Sequence, residues 1–495
     1  MKVLLVQPPQ GTQFGFSNIL RIEPLGVECV GGALEDAGHE VEIIDMRIDG
    51  WGKLKSHYRR FGPAAVGVAS QFMTDVYPAL HIGGYLRELD PEVTLFVGGH
   101  HASLQTHDFM FPGTPFDALV VGEGELTAAA LVNALEAGKP IRDVEGVMTT
   151  ENRAGGFRPR PRTPNLDSMA LPARHLTTRY RGKYHHGSSV PSACIETSRG
   201  CPFDCNFCSV WVFYERRSRR RSPAMIMLDL ERVPEKSVFF TDDIAFLHRP
   251  TYEELGERMK AAGVYRNFSA ETRSDLVVKY QDMFDLWESV GLNAVFLGVE
   301  KIDDAGLESV RKRTDHEKNA LAIRILQDKG IKPMPSFIVD PQWGEEDFDR
   351  LEAYLDEMDL VQPVFTILTP LPGTELYEQY KKDLVTNNYL MFDVVHAVLP
   401  TRLPLERFYE RFSRLYARTA RHERLGWTAI QHALTLTLRG KGFVFWRLLR
   451  ALKDMRDPEA YLQLPMEPMP PGAKPLAPRM TAPSVVPAPV VAVGT

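Results

Sequence analysis

Three cysteines near the middle of the chain have a spacing that suits iron–sulfur chemistry. They lie in Ser198-Arg-Gly-Cys201-Pro-Phe-Asp-Cys205-Asn-Phe-Cys208, which gives the pattern C-x3-C-x2-C. Thiolate sulfur is the ligand that iron–sulfur clusters prefer, and three thiolates on one loop can bind three irons of a cubic 4Fe–4S cluster. The next cysteine, Cys194, lies on a predicted strand and is expected to point elsewhere. One iron is therefore predicted to stay open to a substrate or cofactor.

The alternative for these cysteines is a zinc knuckle or an accidental grouping. Zinc sites usually pair C-x2-C units and recruit a fourth Cys or His. Only one C-x2-C unit occurs here, between Cys205 and Cys208. The spacing favours the cluster.

The sequence around the cysteines predicts the strands and helices that position the cysteine loop. Over residues 191–375, short apolar runs alternate with helical stretches such as 252–262, 281–290 and 318–329. The predicted strands are 193–197, 237–240, 268–271, 294–297, 334–339 and 365–368. Six such units predict a partial (β/α)6 barrel, whose chemistry should sit at the carboxyl ends of its strands.

The chain before and after this barrel divides into four further segments. Residues 1–150 predict strands at 2–6, 41–45, 65–69, 93–97 and 118–121 with helices between them, which indicates an α/β doubly wound, Rossmann-like domain. Residues 151–190 are proline-rich and polar and predict a linker. Residues 376–462 have a helical pattern, and residues 463–495 predict a disordered proline-rich tail.

Composition excludes several classes of protein. The chain has 495 residues, of which 44% are hydrophobic, and a formal net charge of −6. That charge argues against nucleic-acid binding. Five cysteines in this length do not form a disulfide scaffold. There is no apolar run long enough for a signal sequence or a membrane span, so we expect a cytoplasmic multi-domain protein.

The C-x3-C-x2-C loop after the first barrel strand, with Phe207 before the last cysteine, resembles the radical S-adenosylmethionine (SAM) superfamily. The resemblance implies that Cys201, Cys205 and Cys208 ligate a 4Fe–4S cluster, whose open iron binds SAM and cleaves it to a 5′-deoxyadenosyl radical. It also implies SAM contacts at the strand ends. The residues concerned are Phe207, Thr241, Asp242, Asp243, Glu271, Arg273 and Glu300. The arginines between 216 and 221 are expected to form a solvated face.

The amino-terminal domain is similar to the cobalamin-binding domain of one radical SAM subclass. The matching segments are Val97-Gly-Gly-His-His-Ala102 and Val121-Gly-Glu-Gly-Glu125. The contacts this resemblance implies are Ser70, Gln71, Gly98, Gly99, His101, Gly122, Glu123 and Gly124. The cobalt-ligating motif D-x-H-x-x-G is absent, because Ala79 stands where His81 would need the Asp. We therefore expect no protein histidine on cobalt. A Rossmann-like domain without a ligand is the alternative.

Five segments resemble the hopanoid C-3 methylase family: those beginning at Leu20, Ser70, Cys208, Phe337 and Leu399. The resemblance implies a methyltransferase that uses methylcobalamin to methylate an unactivated carbon of a hydrophobic polycyclic substrate. It also implies an electron donor of the ferredoxin or flavodoxin type. Two alternatives remain open, namely a tetrapyrrole-modifying relative (an anaerobic cyclase or a chlorophyll-precursor methylase) and a non-catalytic cobalamin and iron–sulfur sensor.

The carboxyl-terminal helices carry an independent hint about location. Phe445, Leu448, Leu449 and Leu452 share one helical face, and basic residues lie on another. A basic amphipathic helix can bind the inner face of a membrane, whereas packing on the barrel is the commoner use of such a face.

Overall fold

Two six-stranded sheets organise the chain. The computed structural model describes residues 1–11, 16–419, 434, 436–438 and 440–478. The first sheet lies in the amino-terminal domain and the second follows the predicted linker. Both are α/β arrangements, so the predicted fold class is confirmed.

The amino-terminal sheet has the strand order β3-β1-β4-β5-β6-β7, with all neighbours parallel except β6 and β7. Its strands are β1 (Lys2–Gln7), β3 (Glu40–Asp45), β4 (Ala65–Ala69), β5 (Thr94–Gly98), β6 (Ala118–Val120) and β7 (Val147–Met148). The short β2 (Leu20–Arg21) pairs instead with β8 (His185–His186) in a two-stranded ribbon. The order reverses between β1 and β4, and ligands of doubly wound sheets bind at the strand carboxyl ends near such a reversal.

Helices cover both faces of this sheet. They are Phe16–Ile19, Leu25–Asp36, Trp51–Phe61, Val76–Leu89, His100–Leu104 and Gly124–Glu136, with 3-10 turns at Met73–Asp75, Thr106–Asp108 and Ile141–Asp143. The central residues 3–6 of strand β1 are all apolar and buried. Leu4 and Val6 pack in one core cluster, whereas Val3 and Leu5 pack in the cluster on the opposite face. A strand buried on both faces has no polar side to present.

The second sheet is parallel and open, in the order β9-β12-β13-β14-β15-β16. Its strands are β9 (Ser192–Ile195), β12 (Ser237–Phe240), β13 (Asn267–Thr272), β14 (Leu292–Glu300), β15 (Lys332–Val339) and β16 (Val364–Ile367). The helices are Val210–Phe213, Pro223–Glu231, Arg249–Ala261, Ser274–Lys279, Gln281–Ser289, Asp304–Ser309, His316–Asp328, Glu345–Glu357 and Glu375–Tyr380. This is the predicted partial barrel. A hairpin of β10 (Ser198–Arg199) and β11 (Arg219–Arg220) flanks the cysteine loop.

The predicted linker is an ordered strap between the two domains. It contains 3-10 turns at Leu166–Ser168 and Arg174–Lys183. Arg174 is buried and donates to Glu23 and Asp229 at 2.8 Å each, and to the backbone oxygen of Cys194 at 2.7 Å. Because Glu23 precedes the helix Leu25–Asp36 and Asp229 lies on the barrel helix Pro223–Glu231, this single guanidinium joins both domains.

The carboxyl-terminal region is helical at Leu405–Thr419, Gly442–Arg456 and Pro458–Tyr461, with a 3-10 turn at Tyr389–Met391. The prediction of a disordered tail is wrong for residues 463–478. Glu467 lies buried against the amino-terminal domain, where its carboxylate bonds His81 Nε2 at 2.6 Å and accepts from the backbone amides of Leu476 and Ala477 at 2.9 Å each. These bonds anchor the tail in spite of its composition. Residues 479–495 lie outside the described residues.

Replacing Arg174 with alanine is expected to lower the free energy of unfolding by about 3–5 kcal/mol, because Asp229 would remain buried without its cation and Glu23 would keep only the Arg181 cation, at 3.4 Å. Urea denaturation followed by circular dichroism measures the change. Arg59→Ala, on an exposed position of the helix Trp51–Phe61, is the control and should change stability by about 0.5 kcal/mol or less. Equal stability of the two variants would contradict the bridging role.

Candidate cluster and cofactor site

The cysteine loop lies between β10 and the helix Val210–Phe213, at the carboxyl end of β9. All three thiols are free, with Cys205 buried and Cys201 and Cys208 partly exposed. Burial raises the pKa of each thiol, that of Cys208 to about 12. The positive charges of Arg273 and Lys312 oppose this shift at Cys205. A bound cation would favour the ionised form of these thiols, although among the described residues no three His, Cys, Asp or Glu side chains are positioned to hold a metal ion.

The backbone around the cysteines is fixed by close contacts. Gly200 has φ +90°, and a Cβ there would lie 2.0 Å from the backbone oxygen of Arg217, so only glycine fits. The Gly200 amide donates to the carboxylate of Asp243 at 2.7 Å. Trp211 Nε1 donates to the backbone oxygen of Cys205 at 2.8 Å. These bonds hold the loop in one shape before any group binds to it.

Carboxylates from three successive strands lie beside the loop. Loss of surrounding water raises the pKa of Asp243 to about 6, although the residue is exposed, and raises that of the partly buried Glu271 to about 7. The charges of Asp243 and Glu300 contribute to the shift of Glu271, which indicates that the three groups are close. Glu300 accepts from Lys312 Nζ at 2.7 Å and has φ +67°. The site can thus bind cationic or hydroxyl-bearing parts of a ligand.

Asp242 differs from its neighbour because its oxygens are already engaged. It is buried beneath the loop and accepts from the backbone amides of Thr197 and Ser198 at 2.7 and 2.9 Å. It also accepts from the hydroxyls of Thr197 and Tyr252. A contact with an added ligand would have to replace one of these bonds. In this arrangement Asp242 braces the strand that leads into the cysteine loop.

The remaining predicted contacts in the barrel surround the same loop. The Arg273 guanidinium stacks over the Phe203 ring at 3.8 Å and donates to the backbone oxygen of Lys312 at 2.8 Å. Thr241 is partly buried, and its backbone amide donates to Ile195. Phe207 packs against a small apolar cluster that includes Ile338. Cys194 lies away from the loop, in a buried cluster with Cys29 and Phe239.

A buried ion network joins the cysteine loop to the amino-terminal domain. Arg199, two residues before Cys201, donates to Glu123 at 3.0 Å, to Glu125 at 2.6 Å and to Glu196 at 2.9 Å. Arg219 also donates to Glu123, at 2.6 Å. Burial opposes the charge of Glu123, but the two arginines outweigh it and lower its pKa. Glu123 is therefore engaged with the barrel.

The expectation of a solvated arginine face is wrong for two of its five residues. Arg219 and Arg221 are buried, because the linker folds over them. Arg221 donates to the backbone oxygens of Leu166 and Met169 at 2.8 and 3.3 Å. Backbone carbonyl acceptors cannot be recognised from the distribution of charged residues in the sequence, so the burial of these arginines could not be predicted from it. Arg216, Arg217 and Arg220 are exposed.

The carboxyl ends of β4 and β5 form a surface that faces the same interface. Ser70 is fully buried, and its hydroxyl has no hydrogen-bond partner among the described residues. A Cβ at Gly99, whose φ is +127°, would lie 2.4 Å from the backbone oxygen of Ser70. Phe72 is 68% exposed, and Gln71 is exposed beside it. An orphaned hydroxyl, a tight glycine turn and an exposed aromatic ring fit a large flat ligand such as a corrin.

The predicted glycine contacts lie at or just after the carboxyl ends of strands β5 and β6. Gly98 and Gly99 are partly exposed at the end of β5. The Gly122 amide donates to Ser103 Oγ at 2.9 Å, and Gly124 begins the helix Gly124–Glu136. The glycine positions thus line the strand ends, as the sequence predicts.

The histidines of this domain are already hydrogen-bonded. His81 bonds Glu467, and His101 Nε2 lies 2.8 Å from Asp108. His100 was not among the predicted contacts, although it adjoins His101. Its Nε2 lies 2.9 Å from Ser209 Oγ, and its ring stacks on Phe213 with centroids 4.4 Å apart. Since Ser209 follows Cys208, His100 connects the β5 loop directly to the cysteine loop.

Sequence reasoning also missed Arg199, Glu125 and Lys312. Arg199 stands within the cysteine segment, and Glu125 within the glycine segment after β6. Their proximity to the two motifs was a signal that could have found them. Nothing in the sequence shows that they pair with each other.

Two family profiles match the two domains. The B12 binding domain profile matches residues 20–132, and the radical SAM superfamily profile matches residues 195–355. The hopanoid C-3 methylase of Methylococcus capsulatus is 35% identical over 470 residues, which cover 93% of this chain and 89% of the relative. An anaerobic magnesium-protoporphyrin IX monomethyl ester cyclase of Synechocystis sp. is 25% identical over 420 residues, which cover 83% of each chain.

Solved structures share this fold. The radical SAM methyltransferase TsrM of Kitasatospora setae, solved with tryptophan and a SAM analogue, superimposes with a TM-score of 0.58 at 18% identity, covering 78% of this chain and 77% of TsrM. The cobalamin-dependent SAM radical enzyme OxsB superimposes with a TM-score of 0.61 at 15% identity, covering 93% of this chain and 74% of OxsB. Both likenesses show that the fold of this chain is shared with these enzymes.

Replacing Arg199 with alanine is expected to loosen both sides of the interface together, because Glu123, Glu125 and Glu196 would then repel one another in a buried space. Amide hydrogen exchange measures this, and residues 196–210 and 121–126 should exchange at least about tenfold faster. The exposed Arg217→Ala is the matched control. Faster exchange on one side only would contradict the coupling.

Proposed function

This chain belongs to the cobalamin-dependent radical SAM methyltransferases, and from that premise we propose that its substrate is a hopanoid, methylated at C-3. The observation that carries the proposal is the 35% identity to a hopanoid C-3 methylase along 93% of the chain. The cyclase relative, at 25% identity, supports the tetrapyrrole alternative less strongly.

The cysteine loop is the proposed seat of the 4Fe–4S cluster. Cys201, Cys205 and Cys208 are the assigned ligands, because three free thiols stand on one loop beside three carboxylates, of which Asp243 is exposed, Glu271 partly buried and Glu300 buried. A fourth thiol is not near, since Cys194 is buried in another cluster. The loop therefore leaves one coordination position for SAM. Bound together, the reduced cluster, SAM and methylcobalamin supply a hydrogen-abstracting radical and a methyl group, which an unactivated carbon requires.

The chain's own polar groups are proposed to orient SAM. Asp243, Glu271 and Glu300 offer carboxylates to its amino group and ribose hydroxyls, while Arg273 and Thr241 complete the polar rim. Asp242 acts indirectly, by bracing the strand below. Raised pKa values at Asp243 and Glu271 mean that a cationic amino group would favour their ionised forms.

The strand ends of the amino-terminal domain are the proposed cobalamin face. Ser70, Gln71 and Gly99 approach the ligand, with Gly98, Gly122 and Gly124 behind them. Because the motif D-x-H-x-x-G is absent, and His81 and His101 each bond a carboxylate while His100 bonds Ser209, we propose that cobalt takes no histidine from this chain. His101 and Glu123 instead act as positioning residues, since their side chains are engaged with Asp108 and with Arg199.

Reduction of the cluster requires a one-electron carrier. We assign this role to a small ferredoxin or flavodoxin type of protein.

A peripheral contact with the membrane would bring the enzyme to a lipid substrate. Among the described residues, no helix is both long and apolar enough to cross a bilayer. The helix Gly442–Arg456 packs its Val444, Ala451 and Met455 inward, whereas the expected stripe through Phe445 and Leu452 is only partly buried. Trp446 remains 69% exposed and Leu449 41% exposed.

Cations accompany these exposed apolar side chains. Arg450 and Lys453 are exposed on the same helix, and Leu438 just before it is 87% exposed. Apolar rings with flanking cations are typical of surfaces that lie on anionic lipid. We therefore propose that this surface rests on the inner face of the membrane.

Anaerobic turnover tests the substrate assignment. With iron, sulfide and cobalamin loaded, a reductant, SAM and diplopterol should give 5′-deoxyadenosine, S-adenosylhomocysteine and methylated lipid in equal amounts, measured by mass spectrometry. One SAM generates the radical and a second remethylates cobalamin, which accounts for the equality.

The control is Cys205→Ser, which should abolish 5′-deoxyadenosine. If 5′-deoxyadenosine forms without methylated hopanoid, the hopanoid proposal falls, and consumption of a porphyrin ester in a parallel incubation would favour the tetrapyrrole alternative.

Trp446→Ala combined with Leu449→Ala should reduce binding to anionic vesicles about tenfold or more, because most of the exposed apolar area would be lost. Co-sedimentation with vesicles of phosphatidylglycerol and phosphatidylcholine measures the partition coefficient. The control is Tyr265→Ala, which removes another exposed ring of 61% exposure outside this helix. Equal binding by all three proteins would contradict the membrane contact.

A further inference from the structure

A basic groove lies on the outer side of the amino-terminal sheet, away from the strand ends described above. It runs beside the edge strand β3, between the helix Trp51–Phe61 and the linker turn Arg174–Lys183, and has a cavity volume of about 460 Å³. The residues that define it here are Asp49, Lys53, His57, Arg60, Arg179 and Lys183. The size lies in the range of small-molecule sites.

The groove carries more cations than its surroundings neutralise. Neither the Lys53 nor the Lys183 ammonium has a carboxylate within ion-pair distance in the part of the chain that the structure describes. Arg60 pairs with Glu42 at 2.6 Å, and Asp49 is the carboxylate of the lining. The groove is therefore locally positive, although the net charge of the whole chain is −6.

One of the cations is held in place before any ligand binds. Arg179 Nη2 donates to the backbone oxygen of Ile43 and to the hydroxyl of Tyr180, both at 2.8 Å, and the guanidinium lies over the Tyr180 ring. Nη2 also lies 3.4 Å from His57 Nδ1, whereas Nε and Nη1 have no hydrogen-bond partner among the described residues and can bind a ligand. A guanidinium fixed in this way suits recognition of phosphate or carboxylate oxygens.

The spacing of the cations indicates the shape of the ligand. Lys53 and Arg60 are seven residues apart on one helical face, so the positive charge extends over about 10 Å along the helix. Arg179 and Lys183 lie on the facing linker turn. A single phosphate would reach only part of this length.

We propose that the basic groove binds an elongated polyanion with two or more linked phosphate groups, either as a free polyphosphate or as part of a nucleotide. The cations of the helix and of the linker turn bind the phosphates from opposite sides. Because the linker turn also carries Arg174, which joins the two domains, the ligand would bind an element of the domain bridge.

Isothermal titration calorimetry of the full-length holoenzyme tests this site. The titrants are inorganic triphosphate, ATP and orthophosphate at low ionic strength, where exposed charges are least screened. We expect saturable one-to-one binding of triphosphate and at least about tenfold weaker binding of orthophosphate. Comparable binding of ATP identifies a nucleotide as a possible source, and much weaker ATP binding identifies a free polyphosphate.

The variant Lys53→Gln/Lys183→Gln should bind triphosphate at least about tenfold more weakly than the unmodified chain. Its thermal unfolding midpoint should be unchanged. The matched control is Lys139→Gln/Lys236→Gln, which removes two exposed lysines outside the groove and should bind as the unmodified chain does. Absence of saturable binding, equal affinity for orthophosphate and triphosphate, or equal weakening in both double variants would overturn the proposal.

Discussion

The buried guanidinium of Arg199 is the constraint on which the arrangement of the two domains depends. It stands two residues before Cys201 and bonds Glu123 and Glu125 from the far side of the interface. Burial opposes its charge, but Glu125 and Glu196 outweigh burial and raise its pKa well above the ordinary value. The charge therefore persists, and it fixes the cysteine loop relative to the strand ends of the cobalamin-binding domain. A reaction that passes between two cofactors needs such a fixed distance.

Two further polar contacts attach the linker and the carboxyl-terminal tail to the amino-terminal domain. Arg174 connects acidic groups of both domains through the linker, and Glu467 fastens the tail to His81 on the amino-terminal domain. The Arg174 contacts are buried ion pairs, and removal of one partner from such a pair is more destabilising than removal of a surface pair. Flexibility between the domains is restrained by charge as well as by apolar packing.

The sheets and the cysteine loop could be predicted from sequence because their signals are local. Strand β4 has the predicted bounds, since a strand buried on both faces must be apolar throughout. The interface could not be predicted, because Arg199 and Glu125 are 74 positions apart and neither residue type identifies its partner. Local composition also misled in two places. Arg221 is buried because backbone oxygens of the linker accept hydrogen bonds from its guanidinium, and residues 463–478 pack on the protein because the carboxylate of Glu467 anchors this proline-rich segment.

The central claim is that one rigid interface holds the cluster and cobalamin at a fixed separation. Pulsed electron paramagnetic resonance measures it directly, through the dipolar coupling between the reduced cluster and cob(II)alamin in the holoenzyme. The account predicts a single narrow distance distribution that is unchanged when SAM is added. A broad distribution, or one that becomes narrow only with SAM, would contradict it, because the two domains would then be joined by the ligand and not by the chain.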